Sequence, residues 1–301
     1  MEHVPFAFTD SVLSIVSTVT VHASPKLGGR LWRQIAILHL TKCKFWRLSI
    51  IKEGDALFVI FSSTNSENIE FISLREFMKT NRNYNQVTAI EFDSPEYVVC
   101  LMDDLPSEDK WMPIVSEDEV EKMVNHVLIR LSYANLTWLS LNKVDKYGLH
   151  LGLLNRLYGK CSDLQVLNLS YVDPQSLEFL KTQIEKHSIH DLTLTGNWPL
   201  NAALLLESLV LQKQLTTLNI STDSMLFFNA CLLLEQVKKW ESSESPIKSK
   251  SISVEKGFLM VSGKPVHVGE YVDVHKDGKL RISSVIKYGS FFIDVGPVDI
   301  L

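Results

Sequence analysis

Four segments share one pattern, leucine or isoleucine at positions one, four and six: Leu136 to Leu141, Leu164 to Leu169, Ile189 to Leu194, and Leu215 to Ile220. Their central leucines, Leu139, Leu167, Leu192 and Leu218, lie 28, 25 and 26 residues apart. Each segment reads as a strand, and helical stretches follow at about 144–160, 174–187, 202–212 and 225–240. Strand then helix, four times in one register, has few physical solutions. A single unit cannot bury its leucines alone, so neighbours must stack into a repeat array.

The reading that follows is an α/β fold with a leucine-rich-repeat-like solenoid of strand–helix units about 26 residues long. An N-terminal helical segment and a β-rich insertion precede it. In order, 1–44 is helical, 45–115 is β-rich, 116–256 carries the array, and 257–301 is a β-rich cap. A terminal cap is expected because an open solenoid end exposes a core face and a strand edge. Lys250 to Val254 reads as one more strand, 242–250 as a polar linker, and 257–301 as a β-meander with a turn at Asp277-Gly278.

At the N-terminus, Phe8-Thr9-Asp10 reads as a helix cap and Val12, Ile15 and Val16 as a short apolar face. Pro25, Gly28 and Gly29 mark a break before a second face of Leu31, Trp32, Ile35, Leu38 and Leu40. Residues 46–61 read as a hairpin turning at Glu53-Gly54-Asp55, with a loop at 65–68. Ser73 to Glu76 and Ser116 to Glu119 are capping boxes, and Val87 to Phe92 is a strand. The helix after Ser116 presents Val120, Val124, Val127, Leu128 and Leu131.

Composition narrows the setting. Of the 301 residues 46% are hydrophobic and 22% charged, the balance of a globular chain. The net charge of −5 gives no electrostatic support to nucleic-acid binding. Cys43, Cys100, Cys161 and Cys231 are scattered without a CxxC pair, which fits a reducing compartment. Two of the three sequons, Asn168 and Asn219, fall inside expected strands, where a glycan would compete with packing; the third is Asn135. No apolar run reaches the ~20 residues of a membrane span. Glu2, Asp10 and a serine- and threonine-rich run argue against a secretory signal. The expectation is a cytoplasmic or nuclear protein with neither membrane nor nucleic acid as partner.

No chemistry is spelled out. His187 and His190 lack further metal ligands at short spacing, and the same holds for His267 and His275. Lys26 to Arg30 lacks the phosphate-loop spacing and reads as a turn. GxSxG, HExxH and GxGxxG are absent, so neither catalytic residue nor cofactor nor metal is assigned. Residues 91–121 hold eleven carboxylates against Lys110, read as a solvated loop and helix start, with a docking patch for a basic partner as the other reading. The surface assigned to a partner is the outward side of the repeat strands, which strand alternation turns away from the leucines. It comprises Trp138, Ser140, Asn142, Asn168, Tyr171, Asp191, Thr193, Thr217 and Asn219. Trp138 and Tyr171 serve as aromatic anchors on a polar, almost uncharged face.

The N-terminal residues Val4-Pro5-Phe6-Ala7-Phe8-Thr9-Asp10-Ser11-Val12, with Leu27, Leu31 and Trp32 downstream, resemble an F-box. The whole layout is similar to nematode families of F-box-like proteins, which join such a segment to a β-rich middle and a leucine-rich-repeat-like remainder. The resemblance implies a non-catalytic substrate-recognition adaptor of a cullin–RING ubiquitin ligase. It implies adaptor contacts at Pro5, Val12, Ile15, Leu27, Leu31 and Trp32, and an unidentified protein substrate on the repeats. The repeats alone support a second reading, a protein-interaction scaffold with no ligase link. A third, an enzyme, would need a deep pocket holding pKa-shifted groups.

Overall fold

The structure, a computed structural model, describes residues 5–26, 29–54, 56–64, 69–93, 110–142 and 148–221. It also describes the strand segments 227–229, 250–255, 258–261, 264–265, 270–274, 280–287 and 290–297. The protein is α/β, with mixed parallel and antiparallel pairing and eight α-helices among the described residues. Two compact units divide it, Met1–Leu164 and Gln165–Leu301.

The first unit begins with helices α1 (Phe6–Ile15), α2 (Thr18–Ala23) and α3 (Arg30–Lys42), with a 3-10 turn at Ser24–Lys26 before α3. The cap expected at Phe8-Thr9-Asp10 lies inside α1. The helix instead starts after Pro5, whose φ of −59° suits a helix entry. Ser17 caps α2 by accepting from the Thr20 N–H at 3.2 Å. Leu13, Val21, Ile35 and Ala36 form the buried cluster, with Val16, Leu31 and Trp32 packed around it. The expected face of α3 holds at Ile35, which is buried, and at Leu31 and Trp32, which pack on the cluster; Leu40 is exposed, and Ala36 and His39 are buried beside them. Buried His39 is bonded to Asp10 of α1.

Strands β1 (Lys44–Glu53) and β2 (Ala56–Ser63) are the expected hairpin, with Glu53 opposite Ala56. Gly54 takes φ +56° in the turn, a conformation that favours glycine. A short β3 (Phe71–Ile72) and α4 (Leu74–Lys79) follow. The Ser73–Glu76 capping box is complete. Strand β4 (Asn85–Asp93) returns parallel to β1, β5 (Met112–Ile114) adds to β2, and β6 (Trp138–Leu141) lies parallel to β4. Between β5 and β6 runs α5 (Glu117–Ile129), capped by Ser116, while the Glu119 carboxylate accepts from the Val115 N–H. Helix α6 (Leu149–Leu157) completes the unit.

One side of this sheet is core. Register aligns Phe61, Leu48, Ile90 and Leu139 in one row and Val59, Ile50, Phe92 and Leu141 in the next, all buried. Phe77 of α4 stacks on Phe61 at 4.0 Å and meets Trp46 edge-on at 6.1 Å. Each such aromatic contributes about 1.5–3 kcal/mol by burial.

In the second unit, β7 (Val166–Ser170), α7 (Pro174–Glu185), β8 (Asp191–Thr195), α8 (Ala202–Val210) and β9 (Thr217–Ser221) alternate. The three strands are parallel, and Leu167, Leu192 and Leu218 share one row while Leu169, Leu194 and Ile220 share another. All six are buried. Pro174 opens α7 and Asp173 caps it, accepting from the Gln175 and Ser176 N–H groups. Gln212 Nε2 donates to Ile184 O at 3.0 Å, tying the ends of α7 and α8 together. Buried Trp198 donates from Nε1 to Thr195 O and lies 5.2 Å from Tyr171.

The expected helix at 225–240 is corrected in part: Phe227–Asn229 is a strand, β10, parallel to β12 (Phe258–Val261). Its Phe-Phe pair, a β-favouring type, has a partner strand to pair with. Strand β11 (Lys250–Glu255) extends β9 in parallel. A short β13 (Lys264–Pro265) pairs β12. Strands β14 (Glu270–Val274), β15 (Leu280–Lys287) and β16 (Ser290–Pro297) form an antiparallel meander, with β16 bound to β11. The expected loop 65–68, Leu27, the linker 242–249, Val266, Val268 and the 276–278 turn lie outside the described residues.

Candidate functional site

Two surfaces carry the assigned residues. The first is the helical N-terminus. Phe8, Val12 and Ile15 recur at i, i+4 and i+7, so they share one stripe of α1. Thr9, Asp10 and Leu13 occupy the opposite, buried stripe. Phe8 is 57% and Ile15 71% exposed, and Val12 is half-buried. Pro5 is exposed, while Leu31 and Trp32 are half-buried against the helix cluster. The assigned set therefore separates: Pro5, Val12 and Ile15 present surface, and Leu31 and Trp32 support the cluster beneath. Phe6, Val19 and Ile37 are also exposed and were missed; the signal was present as apolar residues off the buried period.

Polar bonds lock α1 in place. Asp10 accepts from His39 Nε2 at 2.9 Å, Asn83 Nδ2 at 2.7 Å and Tyr84 Oη at 3.0 Å. Gln86 Nε2 donates to Ser14 O at 2.6 Å and Asn135 Nδ2 to Val16 O at 3.4 Å. With His39 Nε2 donating to a carboxylate, its Nδ1 faces Cys43 Sγ at 3.5 Å. The order Cys43–His39–Asp10 is that of a nucleophile, a base and its orienter, and a 90 Å³ cavity reaches His39 and Cys43. Burial, with the Asp10 charge adding to it, pushes the Cys43 thiol up to about 11. A thiol held neutral in this way is a poor nucleophile at neutral pH. Burial also raises Tyr84 to about 12, helped by its bond to Asp10.

The second is, in each unit taken by itself, the outward side of the strands. In the first unit, register lines up Ser62, Arg47, Ala89 and Trp138 in one row, and Ser49, Glu91 and Ser140 in the next. Arg47 lies over the Trp138 ring at 5.1 Å and 3.6 Å from the Glu91 carboxylate. The face is therefore not almost uncharged: Arg47 and Glu91 enter from β1 and β4. Neither follows the leucine pattern, and only the pairing register brings them beside Trp138. The buried atoms Arg47 Nε, Ser49 Oγ, Trp138 Nε1 and Asn142 Oδ1 have no hydrogen-bond partner among the described residues. Such a concentration of buried polar atoms calls for water or a polar ligand.

In the second unit, Val166, Asp191, Thr217 and Ser251 form one row. Asn168, Thr193, Asn219 and Ser253 form the next. Asn219 is exposed and Asn168, Tyr171, Asp191, Thr193 and Thr217 are half-buried. Asp191 accepts from Thr216 Oγ1 at 2.6 Å, so its charge is already engaged. Gly196, at φ +83°, brings its Cα so close that a Cβ would stand 3.2 Å from Tyr171 O.

Among the described residues, no cluster of three or more His, Cys, Asp or Glu side chains is placed to hold a metal ion. None of the described helices is long and apolar enough to cross a membrane. No protein-family model, curated protein or solved structure matches the chain.

Proposed function

We propose that the chain is a non-catalytic substrate-recognition adaptor of a cullin–RING ubiquitin ligase. The F-box-like helices dock on the adaptor subunit, and a leucine-rich-repeat-like array holds the substrate and raises its effective concentration at the transfer machinery. The observation that carries the reading is the exposed stripe of Phe8, Val12 and Ile15 on a helix whose other face is anchored through Leu13 and Asp10. An amphipathic helix held this way offers i, i+4, i+7 anchors to a partner's groove. Support for the array comes from the shared leucine rows of β7, β8 and β9, with helices between. Co-elution tests it: the purified chain and the adaptor subunit are expected to migrate together on size exclusion, and Ile15→Asp to separate them.

A scaffold without a ligase link is favoured by one observation. Gln86 and Asn135 donate to the Ser14 and Val16 carbonyls, which ties the end of α1 to the segments that follow, as a cap would be tied. Under that reading the wild-type chain and adaptor elute apart.

A further inference from the structure

A groove of about 410 Å³ runs beside α1 in the first unit, bounded by Ile15 on one side and the end of α5 on the other. That volume lies within the ~300–1,000 Å³ of ligand clefts, room for a few side chains. Its rim is apolar, with Ile15 71% and Ile129 66% exposed. Its charged groups are of one sign. Arg82 and Arg130 line it together with hydroxyl groups, among them Ser11 and Ser14, and the amides of Asn83 and Gln86, and no carboxylate does. Among the described residues neither arginine has a carboxylate partner.

Arg130 is fixed before any ligand arrives. It donates to Phe77 O, to Thr80 Oγ1 at 2.9 Å and to Met78 O at 2.8 Å, with its guanidinium 4.7 Å over the Phe77 ring. Burial and then the neighbouring Arg82 push its pKa down. Two like charges lining one groove lower their energy when an anion enters between them. Exposed isoleucines beside them ask for apolar contact in the same ligand.

We propose that this groove docks an acidic peptide segment of a protein partner, carboxylates at Arg82 and Arg130 and apolar side chains on Ile15 and Ile129. The net charge of the chain is −5, so its overall field repels such a peptide and any affinity is local. The groove shares Ile15 with the ligase reading, but Arg82 and Ile129 belong to the groove alone, so adaptor binding can fail while the groove still takes the peptide.

The test is fluorescence anisotropy on the full chain with a labelled peptide repeating Glu-Glu-Leu. Peptides with Gln or Lys in place of Glu are the comparisons. Saturable binding is expected for the Glu peptide, weaker by about tenfold or more for Gln and undetectable for Lys. Arg82→Glu and Ile129→Asp, both at exposed positions, are each expected to weaken it by about tenfold, and Arg75→Glu, outside the groove, to leave it unchanged. Equal binding of the Glu and Gln peptides, or an unchanged Arg82→Glu protein, overturns the proposal. So does absence of saturation by the Glu peptide on a chain shown by circular dichroism to be folded.

Discussion

Replacing Asp10 by alanine removes one acceptor from three donors at once. His39 is only 1% exposed, so its Nε2–H loses its partner where water does not reach. A buried donor left unmet costs about 1–3 kcal/mol. Asn83 and Tyr84 are half-buried and can turn partly to water, so each adds about 0.5–1 kcal/mol. Asp10→Ala is therefore expected to destabilise by about 2–5 kcal/mol. Asp10→Asn, which keeps an acceptor oxygen and the volume, is expected to cost less. The assay is urea denaturation followed by far-ultraviolet circular dichroism, with hydrogen exchange resolving α1 from the sheet. Exchange in α1 should rise more than in β1 and β4. A loss within about 0.5 kcal/mol of zero, or uniform exchange, would refute the claim that Asp10 anchors the helix.

Three further outcomes are expected. Bonds from the Ser73 backbone, Lys110 and the Ser73 hydroxyl hold Glu76 down at about 2 against an ordinary 4.5. Its contribution is then complete above 4.5 and lost as pH falls toward 2, so urea midpoints from pH 5 to 2 should fall less steeply in Glu76→Gln than in the wild type. Cys43, raised to about 11, should alkylate far more slowly with iodoacetamide at neutral pH in the folded than in the urea-unfolded chain, as read by site-resolved mass spectrometry. Gly196→Ala places a Cβ at 3.2 Å from Tyr171 O in a positive-φ backbone and should destabilise by about 1–3 kcal/mol in a thermal melt.

Short-range rules made the regular parts legible. The Gly54 hairpin, the Ser73 box and the buried leucines of β6 to β9 follow from turn chemistry, capping and alternation, each settled within a few residues. What stayed hidden depends on partners far along the chain. Asp10 looked like a cap, yet it bonds Asn83 and Tyr84, more than seventy residues on. A polar residue, His39, is buried on α3 because it meets Asp10, a partner no hydropathy period predicts. Arg47 and Glu91 reach the Trp138 face only because β1, β4 and β6 are neighbours in the sheet, an order that crossover connections conceal. Phe227–Asn229 is a strand because Phe258–Met260 pairs with it, again information from outside the local window.

The most direct measurement is isothermal titration of the full chain with the purified cullin adaptor subunit, beside Pro5→Ala, Trp32→Ala and a Phe8→Asp/Ile15→Asp double variant. Saturable wild-type binding is expected. The double variant, which reverses the chemistry of the exposed stripe, should lose at least about a hundredfold in affinity while its melt stays near wild type. No binding of the wild-type chain at about 100 µM adaptor would contradict the ligase reading and leave the N-terminal helices as a cap on the sheet.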